Sequence, residues 1–267
     1  MTETIDIWSG EAELYAGARP TPPVILLDIC TQLVHTSQPA LVVDLGSGTG
    51  LSTVIWAERA QQVIGIEPNA DMRFLAAQQA ATFPRAERVR YQEGLSTQTG
   101  LPSDCADIVT CSQSLHWMEP EPTFAEVVRI LKPGGLFAAY DYDWPPTVHW
   151  EVEQVYQEVI ARFRKVRTER AVDRGVKSWS KDKHLARMQD SGCFRYVKEF
   201  LMHHSEAGNA ERFIGLTLSN GIARYLRHGY LTEQEVGLDH LKHVAQNLIG
   251  PEPIPWHFSY RVRIGIK

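Results

Sequence analysis

The stretch LVVDLGSGTGLSTVIW, from Leu41 to Trp56, constrains the fold more than any other part of the chain. An apolar run carries Asp44, three glycines follow at alternate positions, and an apolar pattern of helical period resumes at Leu51. A strand, a sharp turn and a helix are predicted. Gly46, Gly48 and Gly50 suit such a turn because glycine accepts positive φ and puts no Cβ between the backbone and a ligand. The unpaired N–H groups of a helix starting near Leu51 would face that ligand.

The next predicted strand, Val63 to Glu67 in VIGIEPN, ends on an acid about 20 residues beyond the turn, where a carboxylate can accept hydrogen bonds from two ribose hydroxyls. A ribose-bearing cofactor is therefore expected. The dinucleotide fingerprint G-x-G-x-x-G/A is incomplete, because Leu51 stands at its last position.

Further strands are predicted at Val89 to Gln92, Ile108 to Ser112 and Leu136 to Asp141, with helical stretches between most of them. That rhythm describes a parallel sheet wrapped on both faces. Upstream, Pro20, Pro22 and Pro23 divide a helical lead, SGEAELYAGARPTPP, from an amphipathic helix over Val24 to Val34. After Asp141 the rhythm breaks at YDWPPTVHW, followed by a basic helix from about Glu151 to Arg170. A helix-like segment, Asp182 to Asp190, and a strand, Tyr196 to Met202, come next. Helical patterns then cover Asn209 to His228 and Thr232 to Leu248, and the alternating WHFSYRVRIGI reads as a last strand of the same sheet.

At 267 residues, 43 % hydrophobic and 22 % charged, the chain has the composition of an ordinary globular protein. Its formal net charge of -5 disfavours nucleic acid as the main partner, since phosphate binding relies on dense Lys and Arg. No apolar run approaches the roughly 20 residues that span a bilayer, and MTETIDIWSGEAELY lacks the regions of a signal peptide. No membrane association and a cytoplasmic location are expected. Cys30, Cys105, Cys111 and Cys193 are scattered and read as buried thiols. His203 and His204 have no Cys or carboxylate at ligand spacing, so no metal site is expected.

DLGSGTG followed by GIEPN resembles motif I and the acidic loop of class I S-adenosylmethionine-dependent methyltransferases, and DIVTCSQSLHWMEPEPTFAEVVRILKPGGLFAAYD resembles their fourth strand, helix and fifth strand. The resemblance covers about Leu41 to Asp141. YAGARPTPP and the HW after the fourth strand are similar to the subgroup containing trans-aconitate methyltransferase and related bacterial small-molecule methyltransferases. The implied fold is α/β, three-layered and doubly wound, with a mostly parallel seven-stranded sheet whose final strand is antiparallel. Residues 1–40 would form an N-terminal helical lid segment; 41–145, 180–204 and 255–267 the core; 146–179 and 205–254 helical cap insertions.

The resemblance implies S-adenosylmethionine as cofactor. Asp44 and the turn of Gly46, Ser47, Gly48 and Gly50 would face its methionine part, and Glu67 its ribose. Pro68, Asn69 and Met72 would lie near the adenine, as would Ser96, in the loop where many relatives carry an acid. Tyr15 and Arg19 match a lead segment that folds over the cofactor, and Ser114 would sit close to its amino acid end.

The expected reaction is methylation of a small molecule, with an acid or phenol methylated on oxygen as first choice. Transfer from a sulfonium requires alignment and exclusion of water more than any fixed catalytic motif. His116 is the candidate base, since it follows the fourth strand at the carboxyl edge; Trp117 and Tyr140 lie at the same edge. Arg162, Arg164, Lys165, Arg167, Arg170, Arg174 and Lys177 make either a solvated helix face or a source of arginines for an anionic acceptor. Trp144 and the insertions are expected to cap the site. The alternatives are a tRNA or protein methyltransferase, a nicotinamide-dependent oxidoreductase, and a non-catalytic cofactor-binding protein; a monomer or homodimer is expected.

Overall fold

The structure, a computed structural model, describes residues 5, 9–173 and 175–267. Seven strands form one sheet: β1 (Leu41–Leu45), β2 (Gln62–Ile66), β3 (Val89–Gln92), β4 (Ala106–Ser112), β5 (Leu131–Tyr142), β6 (Tyr196–Gly208) and β7 (Ile254–Ile266). Their order is β3-β2-β1-β4-β5-β7-β6. The first five run parallel, and β7 lies antiparallel between β5 and β6. The chain winds outward from β1 to β3 and then returns to β4 on the other side of β1. A crevice therefore opens between the carboxyl ends of β1 and β4, where sheets of this kind bind ligands.

The helices are α1 (Ala12–Ala18), α2 (Ile25–Leu33), α3 (Ala70–Ala80), α4 (Pro120–Ile130), α5 (Trp150–Arg170), α6 (His184–Asp190), α7 (Ala210–Thr217), α8 (Ala223–Arg227), α9 (Glu233–Val236) and α10 (Leu238–Leu248). Strand periodicity divides the core between the two faces of the sheet. Val42, Leu136, Ala138 and Tyr140 join the cluster holding Trp56, Tyr156, Phe213 and Trp256. Val43, Phe137 and Ala139 point the other way, against Phe124, Val127 and Phe194. Two buried layers enclosing one sheet give the three-layer architecture implied by the resemblance.

Three local expectations are corrected. The glycine turn is followed by a short 3₁₀ helix, Val54–Glu58, instead of a full α-helix. Thr53, Val54 and Ile55 are consecutive β-branched residues of low helix propensity. The Thr53 hydroxyl is also drawn inward to Asp44 at 2.7 Å. Strand β6 continues past Met202 to Gly208, because it pairs residue for residue with β7 from Tyr196↔Ile266 to Gly208↔Ile254. The residues expected to begin the second insertion at 205 are thus sheet. The two expected helices over 209–248 are each broken. A wide turn at Leu218–Ile222, with Gly221 at φ +94, separates α7 from α8, and Gly237 at φ +75 separates α9 from α10.

Among the described residues, no helix is long and apolar enough to cross a membrane. The four cysteines are free thiols. His204 Nε2 lies 3.2 Å from Glu206 Oε1, while His203 Nδ1 faces Ser259 at 3.4 Å.

Candidate functional site

Residues after β1, β2 and β4 build a cleft at the crevice. Gly46 adopts φ +62, and a Cβ there would lie 2.7 Å from Met118 Cε and 2.9 Å from Ser114 Cβ. Gly48 also has positive φ, +54, but its missing Cβ would meet nothing within 4 Å: it leaves room in the cleft. The two glycines thus serve different ends, one admitting packed protein and the other leaving space. Glu67, 7 % exposed, fixes the turn from the end of β2. Its Oε2 accepts the Gly48 N–H and its Oε1 the Asn69 N–H, both at 2.9 Å. A carboxylate has about four acceptor positions, so capacity remains for hydroxyl donors. Burial pushes the Glu67 carboxyl up, while the two N–H groups and Arg73 act against that rise.

Gly46, Ser47, Gly48, Glu67, Pro68 and Met72 all line this cleft, as do Ser96, Ser114 and Tyr15. The Ser114 hydroxyl donates to Leu45 O at 2.9 Å, tying β4 to the turn, and the Ser96 hydroxyl meets Thr123 Oγ1 at 2.9 Å. Four expected residues lie elsewhere. Asp44, 1 % exposed, sits beneath the turn and accepts hydrogen bonds from Thr53 and Thr110. Gly50 packs under Tyr91, whose hydroxyl occupies the place of a Cβ. Tyr140, fully buried, shares a hydrogen bond with Ser52 and lines neither cavity. Asn69 turns inward to cap α3, its side chain accepting the Met72 N–H at 3.0 Å. Arg19 is displaced differently: it lines a second cavity.

This second cavity, of about 660 Å³, adjoins the first, and Tyr15, Gln113, Trp117 and Trp179 line both. His116, Trp144 and Tyr156 line only the second, together with Ser219 and Asn220 from the wide turn between α7 and α8. Residues within 171–173 and 175–181 line the two cavities, and the Trp179 N–H donates to His116 O at 2.8 Å. Asp173 pairs with Arg224 and accepts from the Tyr225 hydroxyl. Arg164 and Arg167 stand exposed at the mouth; Arg174 lies outside the described residues.

His116 reaches the second cavity from the 3₁₀ turn after β4, beside Trp117 with ring centroids 4.7 Å apart. Its Nδ1 is buried and has no hydrogen-bond partner among the described residues. Burial, reinforced by the charge of Lys181, holds the imidazole well below its ordinary pKa, so it is neutral near pH 7. Lys181 contacts Gln113 Oε1 at 2.6 Å and Asp141 Oδ1 at 2.9 Å, and Asp141 is held from below by Arg263 at 2.9 Å. Asp141 therefore anchors the wall and stays ionised: burial would raise its pKa, but the charges of Lys181 and Arg263 hold it below the usual range.

Residues 43–139, which contain the glycine turn, Glu67 and His116, match a family model described as "Methyltransferase domain". This segment is a methyltransferase domain. An uncharacterized methyltransferase-like protein of Schizosaccharomyces pombe is 27 % identical over 168 residues, 62 % of this chain and 62 % of its own length. The chain thus spans about three fifths of that relative. A structure from Anaeromyxobacter dehalogenans, provisionally described as a type II methyltransferase, superposes with a TM-score of 0.65 over 93 % of this chain and 97 % of its own, at 20 % identity. Geranyl diphosphate methyltransferase in complex with S-adenosylmethionine gives 0.51 at 14 % identity, over 91 % and 84 %. The methyltransferase domain accordingly has the class I fold.

The cleft suits S-adenosylmethionine, the molecule held in the geranyl diphosphate methyltransferase structure. Ser47 Oγ and Thr49 Oγ1 are buried hydroxyls without a partner among the described residues, at positions that line the cleft. Glu67 keeps acceptor capacity that hydroxyl donors such as those of a ribose would fill, and Pro68, Met72 and Leu95 give the cleft an apolar side. The residues that sequence reasoning missed, Gln113, Tyr156, Lys181, Ser219 and Asn220, all line the second cavity. None carries a local motif, and they come from four separate segments.

Proposed function

We propose that this chain transfers the methyl group of S-adenosylmethionine to a small organic molecule seated in the second cavity, an acid or a phenol methylated on oxygen. The observation that carries the reading is the common border: Tyr15, Gln113, Trp117 and Trp179 line both cavities, so the two lie side by side. Residues from both insertions line the second cavity, which favours a small molecule over a tRNA or a protein chain. A structural neighbour, geranyl diphosphate methyltransferase, is itself named for a small acceptor.

When bound, S-adenosylmethionine supplies a methyl carbon activated by its positive sulfur, which an acceptor oxygen takes in an in-line displacement, leaving a neutral thioether. The protein's share is positioning and exclusion of water. Glu67 and the glycine turn hold the donor. Trp117 and the Trp179 segment close the junction between the cavities. A carboxylate acceptor arrives ionised and needs no base, whereas a phenol must lose its proton, and the neutral His116, which lines that cavity, can accept it.

Calorimetric titration with S-adenosylmethionine, S-adenosylhomocysteine and NAD, on the wild type and on Glu67→Ala, tests the cofactor. We expect binding of the sulfur pair only, weakened about 10- to 100-fold in the variant by loss of charge-assisted hydrogen bonds. Formation of S-adenosylhomocysteine with acids and phenols as acceptors then tests the chemistry. Binding of NAD alone would overturn the reading, and cofactor binding without turnover on any acid or phenol would refute the acceptor class.

A further inference from the structure

Arg19 has a feature that the proposed methyl transfer does not use: a half-buried cation without an acid. Its Nε donates to Ser219 Oγ at 2.9 Å, one terminal nitrogen to the Tyr142 hydroxyl at 3.0 Å, and the other to Ser219 O at 2.8 Å. Its guanidinium carbon lies 4.5 Å from the ring centroids of both Tyr15 and Trp144. These neutral groups fix the plane of the guanidinium. None cancels its charge, and no carboxylate among the described residues pairs with it.

The acids nearby are committed elsewhere. Glu11 and Asp173, the acidic residues lining the same cavity, are bound by Arg227 and Arg224. Lys181 beside it is paired with Asp141, whereas Arg164 and Arg167 at the mouth have no ion pair among the described residues. The second cavity therefore carries positive charge that the protein does not neutralise. A partly desolvated charge is ordinarily paired, because leaving it single is costly.

The helix opposite is shaped around Arg19. The turn after α7 is wide, closed by the Ala223 N–H to Leu218 O, and contains Asn220 at φ −79, ψ 15 and Gly221 at φ +94. Wide turns of this kind recur at functional sites. Here the turn brings both the hydroxyl and the carbonyl of Ser219 to the guanidinium. Three of the five N–H donors of Arg19 are thereby used, and two remain.

We propose that Arg19 is the anion receptor of the second cavity and binds a carboxylate of the acceptor other than the oxygen that is methylated. The proposal rests on the methyl-transfer reading for the word acceptor, but not for the anion. A guanidinium on the reacting oxygen would withdraw its electron density, so the bound carboxylate and the nucleophilic oxygen belong to separate groups of one molecule. The acceptor class is thus a bifunctional acid, such as a phenolic acid or a dicarboxylate. Arg19 borders the second cavity and not the glycine cleft, which favours the acceptor over the carboxylate of the cofactor as the anion bound.

The test is calorimetry on wild type, Arg19→Gln, Arg19→Lys and Ser219→Ala. The probes are 4-hydroxyphenylacetate, 3-phenylpropanoate and glutarate with their neutral amides, each with and without S-adenosylhomocysteine. The wild type should prefer at least one carboxylate to its amide by 10-fold or more. Arg19→Gln should abolish that preference with amide affinity unchanged; Arg19→Lys should keep part of it, and Ser219→Ala, which loosens but retains the cation, should lower it a few-fold. S-adenosylhomocysteine affinity should stay within 3-fold throughout. If Arg19→Gln weakens S-adenosylhomocysteine but not 5′-methylthioadenosine, which lacks the carboxylate, Arg19 reads the cofactor and the proposal fails. It fails equally if the wild type shows no carboxylate preference. Failure of S-adenosylhomocysteine to bind the wild type would instead count against the cofactor reading, while the carboxylate titrations without it would still judge Arg19.

Discussion

The two cavities meet at one wall but are built in different ways. The glycine cleft is assembled from the ends of neighbouring strands, and its key contacts, Gly48 to Glu67 and Ser114 to Leu45, join residues whose places the sheet dictates. The second cavity is assembled from α1, the turn after β4, the long α5 with the segment behind it, and the wide turn between α7 and α8. One is a property of a parallel sheet; the other is a property of what was laid over it. The cleft should therefore tolerate little change, whereas the second cavity should change its ligand without losing its cofactor.

The sharpest way to break that contrast is at Gly46. Gly46→Val places a branched side chain at φ +62 against Met118 and Ser114, and should cost roughly 3 kcal/mol of stability and remove S-adenosylhomocysteine binding altogether. Gly48→Ala, with the same strain but open space, should cost about 1–2 kcal/mol while still reducing cofactor affinity. Thermal unfolding with and without S-adenosylhomocysteine separates the two.

In the second cavity, His116→Gln should lower kcat for a phenolic acceptor by about 10²- to 10⁴-fold while leaving cofactor affinity unchanged and sparing a carboxylate acceptor. Equal loss on both acceptor types would make His116 a wall and not a base. Steady-state kinetics on matched substrates decides it.

Asp44 offers a test at the base of the cleft. Burial raises its carboxyl to about 6, against the hydrogen bonds from Thr53 and Thr110, which favour the ionised form. A folded-state pKa above the unfolded value means that the folded protein binds the extra proton. The associated stability is fully present below about pH 4 and is lost as pH rises through 6, by roughly 3 kcal/mol. The unfolding free energy of Asp44→Asn should lack that component, so the difference between variant and wild type should change across this window; a constant difference would remove the argument.

The smallest effect belongs to the mouth of the second cavity. Arg164→Ala and Arg167→Ala should each raise KM for anionic acceptors only about 3-fold, with the difference shrinking at high salt, because both residues are exposed. Arg162 and Lys165, on the same helix but outside the cavity lining, serve as controls.

The same contrast explains what could be read from the chain alone. Glu67 was legible because strand, turn and acid follow one another at a fixed spacing. The 3₁₀ turn after Gly50 was not, since the pull of Asp44 on Thr53 is a contact across the sheet layer and not a pattern. Tyr140 could have been placed by parity: it shares its face with Leu136 and Ala138, inside the core. Arg19 was visible as part of YAGARPTPP, yet nothing local says that its partners are Ser219 and Tyr142, 200 and 123 residues away in the chain. Ser219 and Asn220 had no signal, because an insertion acquires its role only from what it covers.

Strand β7 lies between β5 and β6, though it follows β6 in the chain by the whole run of α7 to α10. Until β7 docks, β6 has no partner, and the helices between them are the contents of an open loop. Their closure is then a late, long-range step in folding, slowed by the entropy of bringing distant segments together. The glycine turn and Glu67, set by β1, β2 and β4, can be in place before that moment, although Tyr260 of β7 completes the lining of the cleft. The second cavity, which needs the α7–α8 turn, cannot, so a newly made chain would be able to hold its cofactor before it can recognise its acceptor.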